Sequence, residues 1–321
     1  MKLIRLVPSK TSIRFMGKRK IAFVVSVLLI IASIGTYFTK GLNYGIDFQG
    51  GILIEVGGEQ AFNIAKMRST LSGLGLGEVA LQEFGGENDV LIRIERQAGD
   101  STAQQQAVDA VKAALAQEIS DSISYRRVEF VGPKVSAELV EAGTMAMLLA
   151  VAAMLIYIWF RFEWQFSIGA VIALVHDVIL TIGVFSLMGL EFNLSIIAAI
   201  LTIIGYSMND TVVIYDRVRE NLRRYRAMGL SDLLDLSVNE TLARTAMTSV
   251  TTLLALFTLF FFGGAVIHGF TFAMMWGVIV GTYSSVFVAG PLLLYFGIRR
   301  DGDSEGDEAA KDDTKAIEQT S

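Results

Sequence analysis

The stretch IAFVVSVLLIIASIGTYFT, residues 21–39, is apolar almost without interruption. A helix needs about 20 such residues to cross a hydrocarbon core of roughly 30 Å. Helices in soluble cores seldom keep one character over that length, because only one of their faces is buried. In front of the run, residues 1–20 carry Lys2, Arg5, Lys10, Arg14, Lys18, Arg19 and Lys20. A secretory leader also pairs a basic flank with an apolar core, but its core is shorter and ends at a small-residue cleavage site, which is not found here. The stretch is therefore read as a retained anchor whose basic flank stays in the cytoplasm.

The same character recurs downstream, at residues 142–160, 166–188, 193–215, 246–263 and 269–296. Six spans make the expected fold class a polytopic α-helical membrane protein. Composition agrees, since 53% of the 321 residues are hydrophobic and 18% charged, against about 25% charged in soluble domains. Mean hydropathy is +0.52. Counting crossings from a cytoplasmic start predicts which connections are inside. They hold Arg161, then Arg217, Arg219, Arg223, Arg224, Arg226 and Arg244, then Arg299 and Arg300, whereas the outside turns at 189–192 and 264–268 hold no Lys or Arg. That is the asymmetry of the positive-inside rule, with both termini cytoplasmic. Residues 142–298 then hold spans two to six. The tail, residues 299–321, is acidic, poor in apolar side chains and expected to be disordered. The net charge of −5 owes much to that tail, so the charge balance offers nothing for a nucleic-acid partner.

Between the first two spans, residues 40–141 change period regularly. Alternation over 44–56 reads as a strand, the spacing over 62–74 as a helix, and 79–84 and 90–94 as short strands about a Gly85-Gly86-Glu87-Asn88 turn. Residues 103–119 form an amphipathic helix and 123–131 a last strand before Gly132-Pro133. The order βαββαβ predicts a ferredoxin-like α+β domain on the non-cytoplasmic side. That fold serves many functions and decides none of them.

Ionisable groups inside spans are the informative exceptions, since each costs at least about 2.5 kcal/mol at the centre of a lipid-facing helix. His176-Asp177 lies near the middle of the third span, and Asn209-Asp210 well inside the fourth. The fifth span starts close to Arg244, so Asp210 and Arg244 approach the membrane from one side and can meet at similar depth. A carboxylate held between desolvation and a guanidinium can load and release protons. Thr241, Arg244, Thr245, Thr248, Thr251 and Thr252 recur at three- and four-residue steps, a polar stripe able to line a wet path. The plainer alternative makes Asp210 and Arg244 a fixed pair and the threonines interhelical glue. His176-Asp177 is open between a second proton carrier and a helix-packing contact, and Asn209 stands with it as relay or packing. The Arg217–Arg226 run reads first as a topology anchor and second as a cytoplasmic docking surface. His268 falls at an outside turn, structural or solvated.

Soluble-enzyme chemistry finds no support. Cysteine is absent, which removes disulfides, thiol nucleophiles and thiolate metal sites. No P-loop, HExxH helix or GxSxG elbow occurs. An intramembrane aspartyl protease would have to use Asp177 and Asp210 as its facing pair.

The motifs resemble one family over nearly the whole chain. Gly41-Leu42-Asn43-Tyr44-Gly45-Ile46-Asp47-Phe48-Gln49-Gly50-Gly51, Ala173-Leu174-Val175-His176-Asp177-Val178, and above all Gly205-Tyr206-Ser207-Met208-Asn209-Asp210-Thr211-Val212-Val213 with Asp216-Arg217-Val218-Arg219-Glu220-Asn221 look like the SecF subunits of the bacterial SecDF protein-export complex. These are a branch of the resistance-nodulation-division superfamily. Gln49 stands where that family usually has Thr. The resemblance implies an inner-membrane subunit paired with SecD in a twelve-span unit, beside the SecYEG channel and with YajC as a further associate. It implies use of the proton-motive force to draw preproteins outward through a periplasmic domain, with protons as coupling ion, no other cofactor, and Asp210 and Arg244 in proton conduction. Two readings stay open beside it: a superfamily exporter of drugs or lipids, which usually joins two six-span halves in one chain, and a structural assembly factor with no proton coupling.

Overall fold

The computed structural model describes residues 11–83, 88–99, 101–119, 123–264 and 267–298. Among them, six helices are long and apolar enough to span a membrane. They are α1 (Arg19–Lys40), α5 (Pro133–Arg161), α6 (Trp164–Met188), α7 (Leu194–Arg224), α8 (Leu230–Phe262) and a sixth formed by α9 (His268–Ser284), a π-helical turn (Ser285–Ala289) and α10 (Gly290–Phe296). The chain is a multi-pass membrane protein. The basic residues before position 11, most of the 85–88 turn, and the tail with Arg299 and Arg300 lie outside the described residues.

Three helices outrun their expected spans. α5 starts at Pro133, because Glu138 and Glu141 hide from a hydropathy reading a helix that continues above the bilayer. α7 and α8 absorb most of the expected inside loop, leaving only residues 225–229 between them. Burial inside the bundle is uneven. Most of α6 and the sixth span is covered, whereas the most apolar stretch of α5 is not covered at all. Small residues set the close approaches, since a side chain on Gly277 would strike Ile203, one on Gly183 would strike Ser33, and a Cβ on Gly281 would come within 2.9 Å of Ser207. Close contact through small residues is how membrane helices gain packing when lipid supplies no hydrophobic drive.

The extramembrane domain is ferredoxin-like, as its periodicity predicts. Strands β2 (Gly51–Gly57), β3 (Val79–Glu83), β4 (Asp89–Ile94) and β5 (Ser124–Val131) form an antiparallel sheet in the order β3-β4-β2-β5. Helices α3 (Ile64–Ser72) and α4 (Ser101–Glu118) cover one face, where Ile52, Ile54, Val56, Met67, Val90, Ile92 and Val111 form the core. The first expected strand differs. Residues 44–56 divide into β1 (Asn43–Tyr44), a turn of helix α2 (Ile46–Gln49) and β2. The break falls where Gly50 (φ 73°) and Gly51 (φ 120°) take backbone conformations that L side chains avoid.

That break builds the joint between domain and bundle. β1 pairs in parallel with β6 (Glu191–Phe192), in the turn between α6 and α7. Arg93 donates to the Tyr44 carbonyl and to Asn43 Oδ1, both at 2.6 Å. Asp47 Oδ2 accepts the backbone N–H of Leu194 at 2.9 Å, satisfying a free donor at the start of α7.

Candidate functional site

Asp210 and Asp177 are both buried, 8% and 1% exposed, on neighbouring helices. Asp210 points from α7 toward α8, where the Thr245 hydroxyl donates a short hydrogen bond to Oδ1. The second oxygen, Oδ2, is buried and has no hydrogen-bond partner among the described residues. Thr245 can keep its bond to Oδ1 whether or not a proton sits on Oδ2.

Asp177 is the opposite case. Its Oδ1 lies 3.0 Å from His176 Nδ1, and its Oδ2 accepts from Ser207 at 2.6 Å and from Ser284 at 2.8 Å. These donors come from α7 and α9, so one carboxyl ties three helices. With Nδ1–H given to Asp177, His176 keeps Nε2 as an acceptor, buried without a partner among the described residues. Its ring stacks on Tyr283, whose hydroxyl donates to the Ala22 carbonyl of α1 at 2.9 Å and lies 3.0 Å from Ser26 Oγ.

The two carboxyls are linked by hydroxyls. Ser207 and Asp210 are one turn apart on α7. Ser285, beside Ser284, sits 2.9 Å from Thr211 Oγ1 and next to the Asp210 carboxyl. Ser284 and Ser285 stand where the helix widens into the π-helical turn, a feature found at functional sites and kinks. Sequence reasoning quoted Ser207 only as part of the Gly205–Thr211 motif and missed Tyr283, Ser284 and Ser285. The signal of the last three was a Tyr-Ser-Ser triplet inside an apolar run, weak because hydroxyls pass through membranes cheaply by bonding to their own helix.

Comparison with known proteins shows the family. Residues 111–299 match the family model described as protein export membrane protein SecD/SecF, C-terminal, and residues 38–61 match the SecD/SecF GG motif. The protein translocase subunit SecF of Rickettsia bellii is 50% identical over 91% of this chain and 96% of its own length. The chain belongs to the SecF family. The SecF of Rickettsia felis is 48% identical over 92% of the chain and 96% of its own length. Among solved structures, SecDF of Thermus thermophilus, titled a translocon-associated membrane protein, superposes with a TM-score of 0.82 at 34% identity, covering 92% of this chain and 40% of that one. A SecDF structure titled as a super-membrane-facing form gives 0.64 at 31% identity, covering 96% and 41%. The SecF-family chain thus spans about two-fifths of those SecDF chains, and the GG motif coincides with the joint between domain and bundle.

The remaining candidates are placed differently from Asp210. Among the described residues no ion pair within 4 Å joins Arg244 to it, although the guanidinium lies near enough for its charge to act on the carboxyl; the Arg244 side chain is on the exposed side of α8. Thr245, one residue on, occupies the inward position instead. The threonine stripe divides in the same way, because steps of three and four over eleven residues sweep too wide an arc for one neighbour to cover. Thr241 and Thr245 are buried, whereas Thr248 and Thr251 are exposed and return their hydroxyls to the carbonyls of Arg244 and Met247. Asn209 is exposed on α7, away from the hydroxyl network. His268 packs on Phe260 at the end of the bundle near the domain.

Proposed function

We propose that this chain is the SecF half of a SecD–SecF pair in a bacterial inner membrane, using the proton-motive force to assist late preprotein translocation through SecYEG. The observation that carries the reading is the Asp210 carboxyl, buried in the bundle with one oxygen held by Thr245 and the other unbonded. Moving one charge through the full membrane potential is worth about 2.3 kcal/mol per 100 mV, enough to bias two arrangements of packed helices.

The route from proton to domain runs along α7. Asp210 sits sixteen residues from Leu194, about 24 Å along the helix, and Leu194 is the residue that Asp47 caps from the domain joint. A shift of α7 on a change of charge at Asp210 is felt directly by β1, α2 and the sheet. His176 and Asp177 act in this reading by holding α6, α7 and α9 in register. Protons are the coupling ion and no other cofactor takes part. The chain is a transport component with no catalytic residue of its own.

SecD is the partner that the exposed Arg244 calls for, because a guanidinium facing lipid is costly while one facing a carboxylate on an adjoining helix is not. The length ratio to the solved SecDF chains favours the same pairing. SecYEG, YajC and the preprotein follow from the family. The arginines gathered at one side of the bundle favour cytoplasmic termini and a periplasmic domain.

The test is secretion of a signal-bearing preprotein in cells whose sole copy carries Asp210→Asn, with membrane abundance and SecD co-purification measured alongside. Lost secretion at normal abundance and pairing is the expected result, because Asn keeps the shape and the bond to Thr245 but cannot titrate. Unimpaired secretion would reduce the chain to a structural subunit.

A further inference from the structure

The Arg-rich end of the bundle holds a second site, unrelated to the buried carboxyls. The last turns of α7 and the α5–α6 connection enclose an open bowl of ≈ 560 Å³ lined by Arg161, Asp216, Arg219, Glu220, Arg223 and Arg224. Its two acids are already engaged, Asp216 by Arg161 at 2.8 Å and Glu220 by Arg217 at 2.5 Å. Arg219 donates to the Arg161 carbonyl at 3.2 Å and, like Arg161, lies over the Phe162 ring. Arg219, Arg223 and Arg224 make no ion pair within 4 Å among the described residues, although Arg224 lies over the Tyr225 ring and its charge reaches Glu240.

Depth identifies the anion. The bowl opens beside the ends of α5 and α6, where Trp159, Phe160 and Trp164 are 76%, 90% and 57% exposed. Aromatic side chains gather at the level of lipid headgroups. Three unpaired guanidiniums at that level face the plane of the phosphates, and a guanidinium fork matches two phosphate oxygens. We propose that this bowl binds the headgroup phosphodiester of an anionic phospholipid, its acyl chains lying along the uncovered face of α5.

Native mass spectrometry of the full-length chain in detergent, with phosphatidylglycerol or phosphatidylcholine added, tests this. The expected result is preferential retention of phosphatidylglycerol, with about fivefold weaker binding on Arg223→Gln and about a hundredfold on the Arg219→Gln/Arg223→Gln/Arg224→Gln triple variant, from roughly 1 kcal/mol per guanidinium near an anionic surface. Arg68→Gln/Arg96→Gln, which removes exposed charge from the outer domain, is expected to bind as the parent does. The single variant keeps the test meaningful should the triple one misfold. Equal retention of both lipids, no loss in the single variant, or displacement of the lipid by millimolar inorganic phosphate would each overturn the proposal, the last by making the bowl a site for free anions.

Discussion

Asp177 and Asp210 are both buried in one bundle, with serine hydroxyls around them, yet they are held in different ways. Asp177 accepts from His176, Ser207 and Ser284, and both its oxygens are engaged. Asp210 accepts a short bond from Thr245, with Ser285 beside the carboxyl and Oδ2 left without a hydrogen-bond partner among the described residues. A carboxylate with filled acceptors loses several bonds on taking a proton or turning, so it stays as it is. One with an empty acceptor loses little. The contrast is one of hydrogen bonding, three side-chain donors on one carboxyl against the bond from Thr245 on the other, and charge or burial alone would not have shown it.

The largest effect should come from breaking the fixed group. Asp177→Ala orphans an imidazole N–H and two hydroxyls at the junction of α6, α7 and α9. Single side-chain hydrogen bonds in membrane proteins average about 0.6 kcal/mol and reach about 1.7. Three of them, lost together, should cost roughly 2 to 5 kcal/mol. Thermal unfolding of the purified chain in detergent should register this, and membrane abundance should fall with it. Asp210→Asn should differ from the parent by less than about 1 kcal/mol in the same assay. Equal losses would mean that both carboxyls are structural.

A smaller effect is expected from Thr245→Val, which removes the hydroxyl that holds Asp210 while keeping the branched shape. Stability should change by about 0.6 kcal/mol, yet preprotein secretion should drop, because the carboxyl then has nothing to fix its orientation. Thr245→Ser should restore secretion. A Val variant that exports normally would show that this hydrogen bond plays no part in the cycle.

Much of this was legible beforehand, and the gaps have physical causes. The six spans and the βαββαβ domain follow from period and run length, which act locally. Asp210 and Asp177 showed themselves because a carboxyl inside an apolar run is costly. The partner of Asp210 was not readable: Arg244 and Thr245 differ by about 100° around a helix, and only the packing of α8 on α7 decides which of them turns inward. β1 was hidden for a related reason. Asn43 and Tyr44 pair with Glu191 and Phe192 far along the chain, and two residues carry no period. The π-helical turn left no sign at all, since Ser285–Ala289 reads as an ordinary helical stretch.

A third buried carboxyl extends the comparison outside the membrane. Glu55 is 3% exposed on the helix-free face of the sheet, opposite Leu91 on β4 and Arg127 on β5. It borders a cavity of ≈ 120 Å³ that reaches the joint at Asp47 and Glu191. Arg127 is bonded to Glu129 at 2.7 Å. Burial raises the Glu55 carboxyl above its ordinary value of 4.5, with Asp89 and Glu129 adding to the rise and Arg126 and Arg127 opposing it. In this window the folded chain keeps a proton that the unfolded chain has released. Its stabilising contribution is therefore complete below pH 4.5 and lost as pH climbs through the raised value. Thermal unfolding measured over a pH series should show the parent weakening across that interval and Glu55→Gln, which cannot ionise, with a shallower slope. Parallel slopes would mean that Glu55 ionises no differently in the folded and unfolded chains, and would remove it from any account of how the domain grips its joint.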